Sequence, residues 1–451
     1  MLPCNLTCTD TESGLNITFR GRKFSLQYPP GIWESYPRRA RNFLIDNLAF
    51  LETLDMPLVS GMKELKYNTT MPFFYSSFRK MVVRNIPQAV EDSGQSTEEA
   101  IRNFRKTKYS FSGTAPKKPY YKPMPAKDRV IIPFSCGKDS LLTLAVCMDI
   151  GLEPVCVYIN DTVSGTENEM KLRYLKKISR EFGVRVFIVR NEIENLNDFE
   201  FWDGEETCIG YSHMIAGFCL IALPFLHLFR AKYIVLGSQH NMNYSFINKD
   251  GYLAYPSFEQ SRRGTIFLNR LIMHATEKRA GVTSFIDCLT NIAILKILNS
   301  RYEDYAKYEI SCDALNAEPR NTRWCCNCSK CARLSLMMRA TGTDPALVGM
   351  DKNMLGKNSR RLYSLFKGKE SDSYEKSRGA RDEQLLSFLL ALRNGSKGKM
   401  IDAFKQNHLK EARRREKELV RKFLTLHYGT SIPQEYREKI LSIYAGELRI
   451  R

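Results

Sequence analysis

The sequence predicts an α/β protein built on a doubly wound parallel sheet, and three observations carry that prediction. From Val130 onward, short apolar runs of strand length alternate with helical stretches. The helical stretches are long enough to serve as crossovers between parallel strands. The 451 residues are 43% hydrophobic and 11% aromatic, which supplies a sizeable core and excludes global disorder. At about 100–200 residues per domain, the length suggests two to four domains.

Residues 1–112 mix strand-like runs (Ile17 to Phe19, Phe24 to Leu26) with helical spacing such as Ala40 to Leu54, and read as an α+β accessory domain. Residues 113–129 hold four prolines and five Lys or Arg, so they read as an extended basic linker. The strands expected next are Val130 to Phe134, Pro154 to Ile159, Val184 to Val189 and Tyr233 to Leu236. Helices are expected over Leu141 to Ile150, Met170 to Phe182 and Ser212 to Phe229. Residues 130–300 thus form the nucleotide-type domain, 301–356 a cysteine-bearing segment and 357–451 a basic helical region. Ligands of such sheets sit at the strand carboxyl ends, so the loops after Phe134, Ile159 and Leu236 are where chemistry is expected.

The formal charge is +19, and residues 357–451 carry 23 Lys or Arg against 12 Asp or Glu. That excess favours anionic partners: a nucleotide, a phosphorylated substrate or RNA. Ala412 to Phe423 alternates sign, which reads as a solvated helix ahead of a nucleic-acid contact. No secretory leader is recognisable, and Met214 to Phe229 is too short to span a bilayer, so a cytoplasmic protein without membrane association is expected. Thirteen cysteines then point to metal or reactive thiols in place of disulfides.

Ser135-Cys136-Gly137-Lys138-Asp139-Ser140 lies between a predicted strand and a predicted helix. Gly137 lets backbone N–H groups turn inward, and the helix that follows offers free N–H groups and the positive end of its dipole. Ser135 and Ser140 add hydroxyls and Lys138 a charge, a set suited to the phosphates of ATP. Asp139 is a candidate for capping the helix or positioning Mg2+. The bland alternative is a capped helix start that binds nothing. Cys136 is either a small filler or a reactive thiol at a helix terminus. After the strand ending at Leu236, Gly237, His240, Asn241 and Asn243 are positioned to meet base, ribose or substrate, or to satisfy one another. Asn160, at the end of the second strand, is a further candidate for the nucleoside.

Cys325, Cys328 and Cys331 form a C-x-x-C-x-x-C run, with Cys312 upstream and Cys326 spare. Four thiolates make a closed tetrahedral Zn2+ site of structural character; an iron–sulfur cluster is the alternative.

The hexapeptide resembles the PP-loop of the ATP pyrophosphatase superfamily, Ser-Gly-Gly-x-Asp-Ser, with Cys136 in place of the first glycine. That resemblance implies an adenine nucleotide alpha hydrolase-like fold and cleavage of ATP to AMP and pyrophosphate, with AMP passed to a substrate oxygen. Loop and cysteine run together resemble 7-cyano-7-deazaguanine synthase. In overall architecture the chain is similar to the ATP-dependent UDP-N-acetylmuramoyl-L-alanyl-L-glutamate epimerase family. That second likeness rests on Gly-Lys-Asp-Ser, on Arg323-Trp-Cys-Cys-Asn-Cys-Ser-Lys-Cys331, and on Gly379-Ala-Arg381-Asp-Glu383. The expectation that follows is an enzyme that adenylates a carboxylate or carbonyl oxygen of a small or nucleotide-linked substrate. Lys138, Asp139 and His240 are its catalytic candidates, and His240, Cys136 or Glu259 the candidate base. Tyr252 to Arg263, with Arg262 and Arg263, could meet the substrate's anionic groups. An RNA-modifying enzyme and a zinc-stapled scaffold are the competing readings.

Overall fold

The computed structural model describes residues 4–161, 165–204, 207–312, 323–367 and 377–448. Its strands are β1 Cys4–Asp10, β2 Gly14–Phe19, β3 Arg22–Gln27, β4 Glu64–Thr70, β5 Lys108–Gly113, β6 Ala126–Pro133, β7 Glu153–Asp161, β8 Arg185–Asn191, β9 Ala231–Leu236, β10 Phe246–Ile247, β11 Leu253–Ala254 and β12 Gly281–Ser284. All but β10 and β11 join one mostly parallel sheet of ten strands, in the order β12-β9-β6-β7-β8-β3-β2-β1-β4-β5. The expected strands and crossover helices are present, most of them a few residues longer than the apolar runs. The helix expected over Ser212 to Phe229 is broken into Met214–Ile221 and Leu223–Phe229. Pro224, in the first turn of the second piece, lacks the N–H that a continuous helix would need.

Alternation along the strands explains why both faces are covered. Val130 and Ile132 of β6, with Cys156 and Tyr158 of β7, enter one core; Ile131, Val155 and Val157 enter the other. The first face carries helices Lys138–Asp149, Gly165–Phe182, Asn291–Arg301, Ser329–Ala340 and the C-terminal helices. The second carries Arg38–Glu52, Tyr75–Ala89, Met214–Ile221, Leu223–Phe229 and Arg262–Ala275.

The N-terminal segment is woven into this scheme. Antiparallel pairing of β3 with β8, Leu26 opposite Asn191 and Gln27 opposite Arg190, continues the sheet without a break. Helix Arg38–Glu52 packs on helix Met214–Ile221, and the two share the second core. The basic stretch after β5 carries no helix or strand from Thr114 to Pro125, then enters β6 at Ala126, four residues before the apolar run begins.

From β6 the chain winds outward through β7 and β8, then returns to the other side of β6 as β9 and β12. The carboxyl ends of β6 and β9 therefore flank a topological switch point, the crevice where open parallel sheets take ligands.

Candidate nucleotide loop and metal centre

Helix Lys138–Asp149 begins at Gly137, whose backbone is extended, and no side chain caps it. As at any helix start, its first N–H groups have no partner within the helix, and the positive end of the dipole lies with them. Ser140 donates instead to Gly137 O (3.0 Å), and Lys138 Nζ is held by both Asp139 oxygens (2.7 and 2.8 Å) and by Gln239 Oε1 (3.3 Å). Lys138 thus ties the loop after β6 to the loop after β9. Gly237 makes that approach possible, since a Cβ there would lie 3.1 Å from Asp139 Cβ.

Cys136 sits at φ +58°, a left-handed conformation that costs an L-residue and suits glycine. The missing glycine of the PP-loop pattern is thus replaced by a residue that nonetheless adopts a glycine-like backbone. Its thiol is fully buried, and that burial pushes it up to about 12. At neutral pH it is a protonated filler, not a reactive group.

A third segment, which sequence reasoning did not assign to the site, closes over the loop. Ile310 donates its N–H to Cys136 O (2.9 Å), and Ser311 Oγ would stand 3.3 Å from a Cβ at Gly137. Glu309 is fully buried, and one of its carboxylate oxygens has no hydrogen-bond partner. Burial raises this carboxyl to about 7, against the opposing pull of Lys138 and Arg323. Arg323 donates to Glu309 O, lies 5.0 Å from the Tyr174 ring, and keeps a buried Nη2 without a partner. Lys138 and Arg323 thus bring two cations to the loop, beside the carboxyls of Asp139 and Glu309. The only signal for Arg323 in the sequence was its place ahead of Trp324 in the cysteine run.

The remaining candidates are distributed differently. His240 opens a short 3-10 turn, His240–Asn243, and stacks on His427 with ring centroids 3.5 Å apart. Burial, then the neighbouring His427, lowers it to about 4, so it is neutral at physiological pH. Asn241 is fully buried: it donates to Glu383 Oε2 (2.8 Å) and accepts from the Asn291 N–H (2.7 Å). Asn243 donates to His240 O (3.0 Å) and accepts from the Arg262 N–H (2.9 Å). Both amides are thus engaged by protein groups. Asn160 carries a buried Oδ1 with no partner at the end of β7. Glu259 accepts from the N–H groups of Ile215 (3.2 Å) and Ala216 (2.9 Å), and burial raises it to about 8. Arg381 and Asp382 face another helix, Arg381 pairing with Glu411 (2.9 Å) and Asp382 with Arg415 (2.8 Å) and Lys422 (2.9 Å), whereas Glu383 meets Asn241 and the Ile292 N–H.

The metal centre has the expected membership. The sulfurs of Cys312, Cys325, Cys328 and Cys331 all lie within 4.8 Å of one another. Cys325 Sγ and Cys331 Sγ are 3.7 Å apart. Bonds of about 2.3 Å to a tetrahedral zinc put sulfurs ~3.8 Å apart, so the donor set fits one such ion. N–H groups of Asn327 (3.3 Å) and Cys331 (3.4 Å) point at Cys325 and Cys328 sulfurs, as thiolate charge requires. Cys326, at φ +50°, is the turn residue that lets its neighbours converge. The four cysteines could hold a metal such as zinc, and in that role they would anchor helix Ser329–Ala340, which Cys328 caps.

Compared with protein-family models and with curated proteins, the chain matches none.

Proposed function

We propose that this protein is an ATP-dependent adenylating enzyme of PP-loop type, cleaving ATP to AMP and pyrophosphate. The observation that carries the reading is the helix N-terminus without a side-chain cap at the switch point between β6 and β9, with Lys138 in its first turn and Arg323 bonded to Glu309 nearby. Free N–H groups and fixed cations in a site of low dielectric offset charge that grows on a departing pyrophosphate. Ser135 and Ser140 add hydroxyls beside them. Asp139 and Glu309 are the carboxylates suited to Mg2+, which would neutralise the phosphates. Zinc at the four cysteines has no open position and takes a structural part.

The substrate is a small or nucleotide-linked carboxylate, and the adenylate goes on to epimerisation or to amidation. His240, low in pKa and neutral, is suited to accept a proton only weakly, and Cys136 stays protonated. RNA as substrate is the lesser reading, because Arg381, Arg393, Arg415 and Lys422 of the basic region are consumed in ion pairs. Among the described residues no helix is long and apolar enough to cross a membrane.

The test is ATP–pyrophosphate exchange with Mg2+ over two panels. One holds L-glutamyl peptides and UDP-muramoyl peptides, the other 7-carboxy-7-deazaguanine and RNA. Exchange with one panel, lost in Lys138→Ala, is the expected result. Silence with both, and no ATP binding by calorimetry, overturns the proposal.

A further inference from the structure

A second buried cluster lies on the opposite face of the sheet, and the function proposed above makes no use of it. Glu52 ends helix Arg38–Glu52, Glu194 lies in the 3-10 turn Ile193–Asn197 after β8, and His213 precedes helix Met214–Ile221. The three side chains are buried, with His213 fully enclosed, and one ligand atom from each lies within 4.8 Å of the others.

How the surrounding groups are arranged sets this cluster apart from a chance meeting of acids. His213 Nδ1 faces Asp55 Oδ2 at 3.2 Å, and that same oxygen accepts the Ser212 N–H at 2.7 Å. The other ring nitrogen, Nε2, is buried without a hydrogen bond and points at Glu194 Oε2, 3.5 Å away. A carboxylate behind one imidazole nitrogen, with the other nitrogen turned toward a further ligand, is the arrangement that metal-binding histidines use, and here that further group is the Glu194 carboxylate. Glu52 Oε2 is fixed by Asn191 Nδ2 at 3.1 Å, and Glu194 Oε1 is buried with no partner. Room for Glu52 Oε1 exists only because residue 217 is glycine, where a Cβ would lie 2.4 Å from it. Charge points the same way. Glu52, Asp55 and Glu194 bring three carboxyls to one buried imidazole, which can supply one positive charge at most.

We propose that Glu52, Glu194 and His213 form a binding site for a first-row divalent cation of the Zn2+ class, with Asp55 orienting the histidine. One imidazole and two carboxylates are the donor set such ions accept, and three ligands leave a position for water or a bidentate carboxylate. The ion would tie three remote parts of the chain together: the end of helix Arg38–Glu52, the turn after β8 and the entry to helix Met214–Ile221. It is separate from the four-cysteine centre and does not depend on the reading of the nucleotide loop.

Co2+ distinguishes the two centres, because thiolate ligands give intense charge-transfer absorption and nitrogen–oxygen ligands only weak visible bands. The metal-free full-length protein, titrated with Co2+ alone, is expected to take two equivalents, only one of them with thiolate absorption. In His213→Gln and Glu194→Gln the uptake falls from two to one, with the thiolate band intact. The wild-type titration stands without any variant that might misfold. A single equivalent in the wild type, all of it thiolate-ligated, overturns the proposal and leaves a proton-sharing histidine–carboxylate network. So would two equivalents that both survive in correctly folded His213→Gln.

Discussion

Glu309 concentrates the chemistry of the candidate site at the scale of a single residue. Its ordinary value is 4.5, and burial raises it to about 7. The folded state therefore favours the protonated acid. The stability this gives is full below pH 4.5 and is lost as pH rises through about 7, because the unfolded chain ionises first. Glu309→Gln removes the penalty. At pH 8 the variant should be more stable than the wild type by on the order of 3 kcal/mol, with little difference at pH 4.5. Urea unfolding at the two pH values checks this, and an equal gap at both contradicts it. ATP–pyrophosphate exchange is expected to fall in the same variant, because a carboxylate retained at such cost fits a ligand-binding role better than a packing one. Neither the cost nor the role was legible in the sequence. Glu309 belongs to no motif, and what seats it at the loop is the backbone bond of its neighbour Ile310 to Cys136, a contact that a sequence does not display. The hexapeptide was legible, because its glycine, lysine and hydroxyls occupy consecutive positions at a strand-to-helix turn. What stayed hidden was Cys136 in a glycine-like conformation, since a sequence does not display φ.

At the scale of elements, the acidic residues at the start of helix Arg378–Arg393 act as clamps. Asp382 is nearly enclosed, with a side chain 3% exposed, between Arg415 and Lys422 of helix Leu409–Phe423. Burial alone would raise its carboxyl, but hydrogen bonds from those two cations outweigh it and hold the group below its usual value. Its contribution is thus present above the ordinary carboxylate range and is lost as pH falls. Asp382→Ala should cost about 2–3 kcal/mol at pH 7, less than a wholly buried pair because both cations stay partly exposed. The cost should shrink in acid, the opposite trend to Glu309→Gln, and thermal unfolding at two pH values measures it. The sequence had suggested a solvated helix of alternating sign over Ala412 to Phe423. The helix is there, but several of its charges face inward, because a helix period alone does not reveal which neighbour supplies the opposite charge.

The whole molecule is organised by one sheet. The sequence reading divided it after residue 112 because the composition changes there, and composition reports local propensity, not strand pairing. The β3–β8 ladder and the shared second core tie the first 112 residues to the strands that follow. A chain beginning at residue 113 should therefore lose β1 to β5 and helix Arg38–Glu52, baring the apolar side of helix Met214–Ile221. It is expected to bind hydrophobic dyes and to melt without a cooperative transition. A soluble fragment with a sharp melt would show that residues 113–451 fold alone.

The bond between Asn241 and Glu383 also has a consequence in time. The two residues are 142 positions apart, yet Glu383 holds Asn241 and the N–H of Ile292 together. A ribosome adding about 5–20 residues per second makes the loop about 7–28 seconds before it makes its clasp. Until then the wall of the crevice after β9 has no carboxylate to fasten it. The nascent chain can pair its strands before that clasp exists, and a chain ending ahead of residue 383 lacks both the clasp and the helices that complete the first core.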